Sequence, residues 1–308
     1  MKTVAVAFGA LLIAFIIGCG GGGGGGTSGT SGDGGDTGRL YIADGLNHSY
    51  IVRMDNIQGD NWASYGTKGS GVNQFMDPRC VTFDAQNRMY IADWGNDRIV
   101  RVDDFTGAGW VAFGSGGNGP NQFDNPNKIA IDKNGRIYIS DTGNNRIVRI
   151  DDMTGAGWAA FGTQGSGAHQ FDSPYGLAVD DNFRIYVCDY FNHRIARFEN
   201  MSGFNWTTFS DASLDSPNDI HLYGNKMLIN DRMGKVILTD LMSTNHWKHF
   251  TPSVPQSSVM GSNGKIYVYD QQDDLLSQYP SINGGNPITY GSGAQHDFQK
   301  AGYITFGP

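Results

Sequence analysis

From Tyr41 onward the chain alternates short apolar runs with clusters of Asp, Asn and Gly, and one run keeps returning. It reads YIAD at Tyr41 and Tyr90, YISD at Tyr138, YVCD at Tyr186, LIND at Leu228 and YVYD at Tyr267, at spacings of 49, 48, 48, 42 and 39 residues. Self-similarity at such a period marks a repeat architecture. A short apolar strand precedes most copies, as in VTFD at Val81, IAID at Ile129, LAVD at Leu177 and IHLY at Ile220. After each copy come a strand of the RIVRVD type and another that carries Trp, at Trp62, Trp110, Trp158, Trp206 and Trp247. Four strands of alternating character per 40 to 50 residues predict a propeller blade, and six copies predict six blades. The first copy begins at Arg39 without a preceding apolar strand, while the chain ends in AGYITFGP without a following one. Aligned on the second repeat, Ile304, Thr305 and Phe306 fall on Val81, Thr82 and Phe83, so the last strand is expected to complete the first blade. Such a closure pairs the chain ends and removes an open sheet edge. The fold class expected is all-β, a six-bladed β-propeller forming one domain over residues 39–308.

The residues ahead of the repeats are of another kind. Residues 1–18 hold one basic residue, Lys2, and an apolar run short for a membrane span, the pattern of a secretory signal. Its end, Ile16, Ile17, Gly18 and Cys19, resembles the lipobox of bacterial lipoproteins, which implies lipidation of Cys19. After Cys19, Gly20 to Gly38 form a Gly/Ser/Thr/Asp stretch with no apolar residue to join a core; as a flexible coil it spans about 25 Å on average and reads as a tether.

Glu199 is the one glutamate, so 29 of the 30 acidic residues are Asp, and Gly contributes 45 residues. That bias suits turns between strands and disfavours helices. Without the signal the chain has 21 basic and 30 acidic residues, a net charge of 21 minus 30, or −9. A surface of that sign lacks the Lys and Arg clusters that nucleic acid or anionic lipid requires. Cys80 and Cys188 fall on strands of different repeats and are expected as buried free thiols.

The recurring GSGxxQFDxPxxIAxDxxGRIYIxDxxNNRIVRID pattern resembles the NHL repeat, closely in the second to fourth copies and more loosely in the fifth and sixth. The resemblance implies a six-bladed propeller of a kind that binds proteins, peptides, RNA or small molecules, with a few enzymes on related propellers. Fold alone does not choose among these.

Residues repeated in every blade read as scaffold. Asp44, Asp93, Asp141, Asp189, Asp231 and Asp270 each end a second strand, where a carboxylate can accept hydrogen bonds from the following turn. Asn47, Asn96, Asn144 and Asn192 suit turn positions with positive φ, Arg98, Arg146 and Arg194 suit bridges between turns, and the repeated Trp suit packing between blades.

Function is sought where blades differ on one face. The segments entering the inner strands and the loops joining second to third strands emerge together and would line the mouth of the central channel. They supply Arg79, Trp94, Asn127, Tyr175, Tyr190, Phe191, Asn218, Asp219 and Arg232 as candidate ligand-binding residues. Aromatic rings beside Arg and amides suit a protein, peptide or glycan partner. A three-His metal site of the amidating-lyase kind is not expected, because His221 alone lies on an inner strand. Lactonase-like propellers hold calcium in the channel, and Asn127, Asn218 and Asp219 would form part of such a site. No catalytic motif appears. The expectation is a lipid-anchored, monomeric binding propeller in the cell envelope, with the outer membrane favoured and nucleic acid excluded. The alternatives are a calcium-dependent hydrolase or lyase and a non-catalytic structural envelope component.

Overall fold

The computed structural model describes residues 38–45, 48–211, 214–242, 248–270, 272–290 and 302–308. The expected signal, Cys19, residues 20–37 of the tether, Asn47 and Trp247 lie outside them. The six recurring strands, Arg39–Asp44, Met89–Asp93, Ile137–Asp141, Ile185–Asp189, Lys226–Asp231 and Ile266–Asp270, are each the second strand of a four-stranded antiparallel blade. Their β-branched and aromatic residues are buried on both faces because neighbouring blades pack against each side. The inner strands of blades two to six, Pro78–Phe83, Pro126–Ile131, Pro174–Val179, Pro217–Tyr223 and Pro255–Met260, and Ile304–Gly307 of blade one pack in a closed ring around the axis.

Closure occurs as the sequence alignment requires. Ile304–Gly307 joins the sheet of the first blade, with Ile304 opposite Ile42, Thr305 opposite Tyr41 and Phe306 opposite Leu40. Val81 and Thr82 face Ile91 and Tyr90 in the same register, so the C-terminal strand is the inner strand of blade one.

The inner strands begin earlier than their apolar runs suggest. Each of those in blades two to six starts at a proline, and that proline pairs with the aspartate ending the second strand, as Pro78 does with Asp93 and Pro217 with Asp231. A register shift follows the proline in every one of these blades. A proline at the first strand residue costs no ladder bond, and the bulge lets the next residues change direction near the axis.

The repeated polar residues form a lattice between turns, with two differences from the sequence reading. Asp93 Oδ1 accepts a backbone N–H from Met76 at 2.7 Å, in the preceding interblade loop, and Asp141 and Asp189 do likewise with Asp124 N and Asp172 N, whereas Asp231 and Asp270 also accept from their following turns as expected, from Met233 N and Gln272 N. Positive φ falls one residue later than expected, at Asp97, Asn145 and His193. Asn96, Asn144 and Asn192 instead donate Nδ2 to the blade aspartate and to the carbonyls of Gly69, Gly117 and Gly165. A side chain with two donors is worth more there than tolerance of a left-handed backbone. Arg98, Arg146 and Arg194 bridge as expected, each donating to its blade aspartate and to carbonyls of the loop before the blade. Trp110, Trp158 and Trp206 sit just ahead of the outer strands against Phe75, Phe123 and Phe171, and Trp62 reaches Tyr290 of the neighbouring sixth blade.

Candidate functional site

The proline that opens each inner strand and the aspartate that ends each second strand bring both to one end of the barrel-like ring, which is the channel mouth. The turns after the aspartates rise from the same face; those at Trp94–Asn96 and Tyr190–Asn192 are single 3₁₀ turns. The opposite face carries the hairpins at Asp84–Arg88, Asp132–Arg136 and Asp180–Arg184, each tied by an Arg to Asp ion pair. Arg39 and Pro308 also lie there, joined by hydrogen bonds from Arg39 Nη1 and Tyr41 Oη to the Pro308 carbonyl.

Two aromatic groups form on the mouth. In blade four Tyr175 packs on Tyr190 with centroids 4.9 Å apart, and Tyr190 meets Phe191 edge-on at 4.8 Å. In blade two the Arg79 guanidinium covers the Trp94 ring at 5.2 Å and is fixed by Asp77, its Nη2 donating to Oδ2 at 2.7 Å. Burial pushes the Asp77 carboxyl above the usual carboxylate range against the pull of Arg79. Arg232 is exposed on the corresponding turn of blade five.

The amides and Asp219 take other places. Asn127 and Asn218, 2% and 1% exposed, are second residues of inner strands and are packed into the wall. Asn218 Nδ2 donates to the Gln256 carbonyl at 2.8 Å, and the Oδ1 atoms of both residues are buried without a hydrogen-bond partner. Asp219 is one residue deeper, in a layer that fills the axis. That layer is the third residue of each inner strand counted from its proline: Cys80, Lys128, Gly176, Asp219 and Ser257, completed by Tyr303 of blade one.

Its centre is an ion pair between blades three and five. Lys128 Nζ donates to Asp219 Oδ1 at 2.6 Å, and both side chains are buried. Ile220 N also donates to Oδ1, Ser257 Oγ donates to Oδ2 at 2.6 Å, and His221 Nε2 lies 3.1 Å from Oδ2. The Lys128 ammonium stands 4.2 Å from the centroid of the Tyr303 ring, whose hydroxyl donates across the axis to the Asn218 carbonyl at 3.0 Å. Gly176 is required beside them, because a Cβ there would lie 2.8 Å from both Asp219 Cα and Cys188 Sγ.

The electrostatics follow from burial with pairing. Burial alone would push the Asp219 carboxyl up, but Lys128 and His221 hold it well below the usual range. Burial, reinforced by Asp219, pushes the Cys188 thiol and the Tyr303 phenol well above theirs, so both stay neutral. Cys80 and Cys188 are free and buried.

Asp219 therefore corrects the expected mouth lining, and with it the calcium set. Each oxygen of its carboxylate already has two polar neighbours, and a cation placed beside it would meet an ammonium 2.6 Å away. The Asp219 carboxylate is thereby committed to Lys128, Ile220 N, Ser257 and His221 rather than open to a calcium ion. Among the described residues, no group of three or more His, Cys, Asp or Glu is arranged to hold a metal. The hub was readable in one respect: the second position after the strand proline gives C, K, G, D and S in blades two to six, and a Lys with an Asp on core-facing strands demands a partner.

The protein is an all-β, six-bladed propeller of four-stranded blades whose axis is filled and whose mouth carries aromatic side chains and arginines. The family model described as the NHL repeat matches two of its repeats, at residues 123–150 and 171–198 in blades three and four. No curated protein matches the chain in sequence. Among solved structures, a chain of a nidogen/laminin complex is similar at TM-score 0.70 and 15% identity, over 88% of this chain and 98% of that one. Virginiamycin B lyase from Staphylococcus aureus is similar at TM-score 0.60 and 16% identity, over 88% and 92%. A streptogramin B lyase reaches TM-score 0.61 and 14% identity, over 95% and 91%. At such identities the likeness is one of fold.

Proposed function

We propose that this is an exported, lipid-anchored propeller that holds a protein, peptide or glycan partner on its channel-mouth face, tethered through Cys19 to the outer membrane. The observation that carries the reading is the gathering of Tyr175, Tyr190 and Phe191 in blade four and of Arg79 over Trp94 in blade two, on one face and at positions where the blades differ. Aromatic residues and Arg are the side chains that dominate binding energy at interfaces. A similar chain was solved within a nidogen/laminin complex, which agrees with a binding role for this fold. The acidic balance of the chain speaks against nucleic acid.

The competing reading, a calcium-dependent hydrolase or lyase, loses support at the axis, where Lys128 occupies the Asp219 carboxylate. The binding reading is tested by replacing Trp94, Tyr175 and Tyr190 together by Ala. Partner binding should fall at least tenfold while the melting temperature stays within a few degrees. Unchanged binding of every identified partner would end the proposal.

A further inference from the structure

Three residues of blade two leave the repeat together and touch one another. On either side of the strand proline, blades three to six carry neutral residues, such as Asn125 and Asn127 in blade three and Ser173 and Tyr175 in blade four. Blade two carries Asp77 and Arg79 there. The third departure is Trp94, whose ring the Arg79 guanidinium covers at 5.2 Å.

The ion pair between the first two is half made. Arg79 Nη2 donates to Asp77 Oδ2 at 2.7 Å, whereas Asp77 Oδ1 and Arg79 Nε are both buried without a hydrogen-bond partner. Guanidinium and carboxylate frequently meet fork to fork, through two parallel bonds. Here the donor and the acceptor of the absent second bond belong to the same two side chains, and each is a buried group left unsatisfied. With the guanidinium over the indole, Nη2 alone reaches Asp77. Burial outweighs this single bond and sets the Asp77 carboxyl above its usual range. The backbone on both sides is pinned: the Arg79 carbonyl accepts from Tyr303 N at 2.8 Å, and Asp77 N donates to Ser49 Oγ at 3.4 Å. Blade one leaves room for the carboxylate, since a Cβ on Gly45 would lie 2.1 Å from Asp77 Oδ1. Any rearrangement of the pair is therefore one of side chains.

Resting on the proposed mouth binding, we propose that Arg79 is a movable cover of the Trp94 ring and that Asp77 is the positioning residue that receives it. When a partner takes the ring face, the guanidinium turns off the indole and closes the fork, with Nε donating to Oδ1 beside the bond from Nη2 to Oδ2. Both orphaned atoms are then satisfied. The exchange replaces a cation–π contact by a charge-assisted hydrogen bond, two interactions of the same order. The covered and uncovered positions are thus close in free energy, and contact with the ring decides between them.

The test reads access to the ring and needs no partner. The full chain is treated at pH 7 with the indole reagent hydroxynitrobenzyl bromide, and the rate at Trp94 is followed by peptide mass spectrometry, with Trp110, Trp158 and Trp206 as internal references. Wild type is compared with Arg79→Ala, Asp77→Asn and the double variant, all of melting temperature within a few degrees. Arg79→Ala removes the cover and should react fastest. Asp77→Asn leaves a single acceptor, so the fork does not close, the guanidinium stays on the indole, and Trp94 should react at least threefold more slowly than in wild type. The double variant should match Arg79→Ala, because Asp77 acts through Arg79. Asp77→Asn equal to wild type would mean a static stack without a second position. Asp77→Asn as fast as Arg79→Ala would mean that Asp77 holds the cover shut, and an effect of Asp77→Asn that persists without Arg79 would mean a structural role. Each of these three results would overturn the inference. If the rates keep the expected order while replacing Trp94, Tyr175 and Tyr190 leaves partner binding unchanged, the movable pair stands and mouth binding falls. The reverse outcome would leave mouth binding with a fixed Arg79.

Discussion

Lys128 and Asp219 illustrate how a single buried pair is worth more intact than in halves. Removing one partner strands the other charge in the core, so Lys128→Met should cost about 3–5 kcal/mol. The double variant Lys128→Met/Asp219→Leu should recover much of that loss, and urea unfolding at pH 7 reads both. The carboxyl titrates lower in the folded chain than the value of about 3.9 that it has unfolded. Its contribution is therefore fully present above pH 4 and is lost as the pH falls towards the folded value. The stability of the wild type relative to the double variant should then decline below pH 4, with other carboxyls cancelling in the comparison. A flat difference down to pH 2 would mean that Asp219 is not held by Lys128. Residue by residue, the aromatic positions were legible because they break the repeat. The burial of Asn127, Asn218 and Asp219 was not, because proximity in sequence to a strand start does not say how a bulge turns the next side chains.

Among the elements, the C-terminal strand binds the molecule at more than a sheet edge. Ile304 and Phe306 are buried against blades one and six, and Tyr303 enters the axial layer, where Ile304 N also donates to Ser257 Oγ. Burying each such side chain contributes about 1.5–3 kcal/mol. Deleting residues 301–308 should lower the melting temperature by well over 10 °C, since several such contributions are lost together. Tyr303→Phe should cost only about 1 kcal/mol, for one hydrogen bond, and Tyr303→Ala about 3–5 kcal/mol, for the cavity beside Lys128. Equal effects of the two substitutions would refute the tyrosine ring as a filler of the axis. The pairing of this strand with Arg39–Asp44 was predictable from the unmatched apolar run at each end of the repeat array, because a missing inner strand and a spare strand have one common solution.

For the whole molecule, Lys128, Asp219 and Tyr303 occupy the axial layer, so no metal is expected there. The melting temperature should be unchanged by EDTA and by added calcium, since a ligand that binds the folded state would raise it by mass action. A large fall with EDTA that calcium restores would bring back the hydrolase or lyase reading, with its metal bound elsewhere than at Asp219. The two faces also differ in what they offer: Arg to Asp hairpins and both described chain ends on one, and aromatic, Met and Arg side chains on the other.

The architecture was legible in the repeats, because strand alternation, repeated turn residues and a split first blade leave six closed blades as the arrangement that buries the apolar runs of residues 39–308. The sequence also marked the divergent aromatic residues of one face. Which of the divergent residues reach solvent and which meet at the axis depends on how the six inner strands close around it. Lys128 and Asp219 are 91 residues apart, and nothing local relates them until the ring of inner strands brings blades three and five together across Gly176.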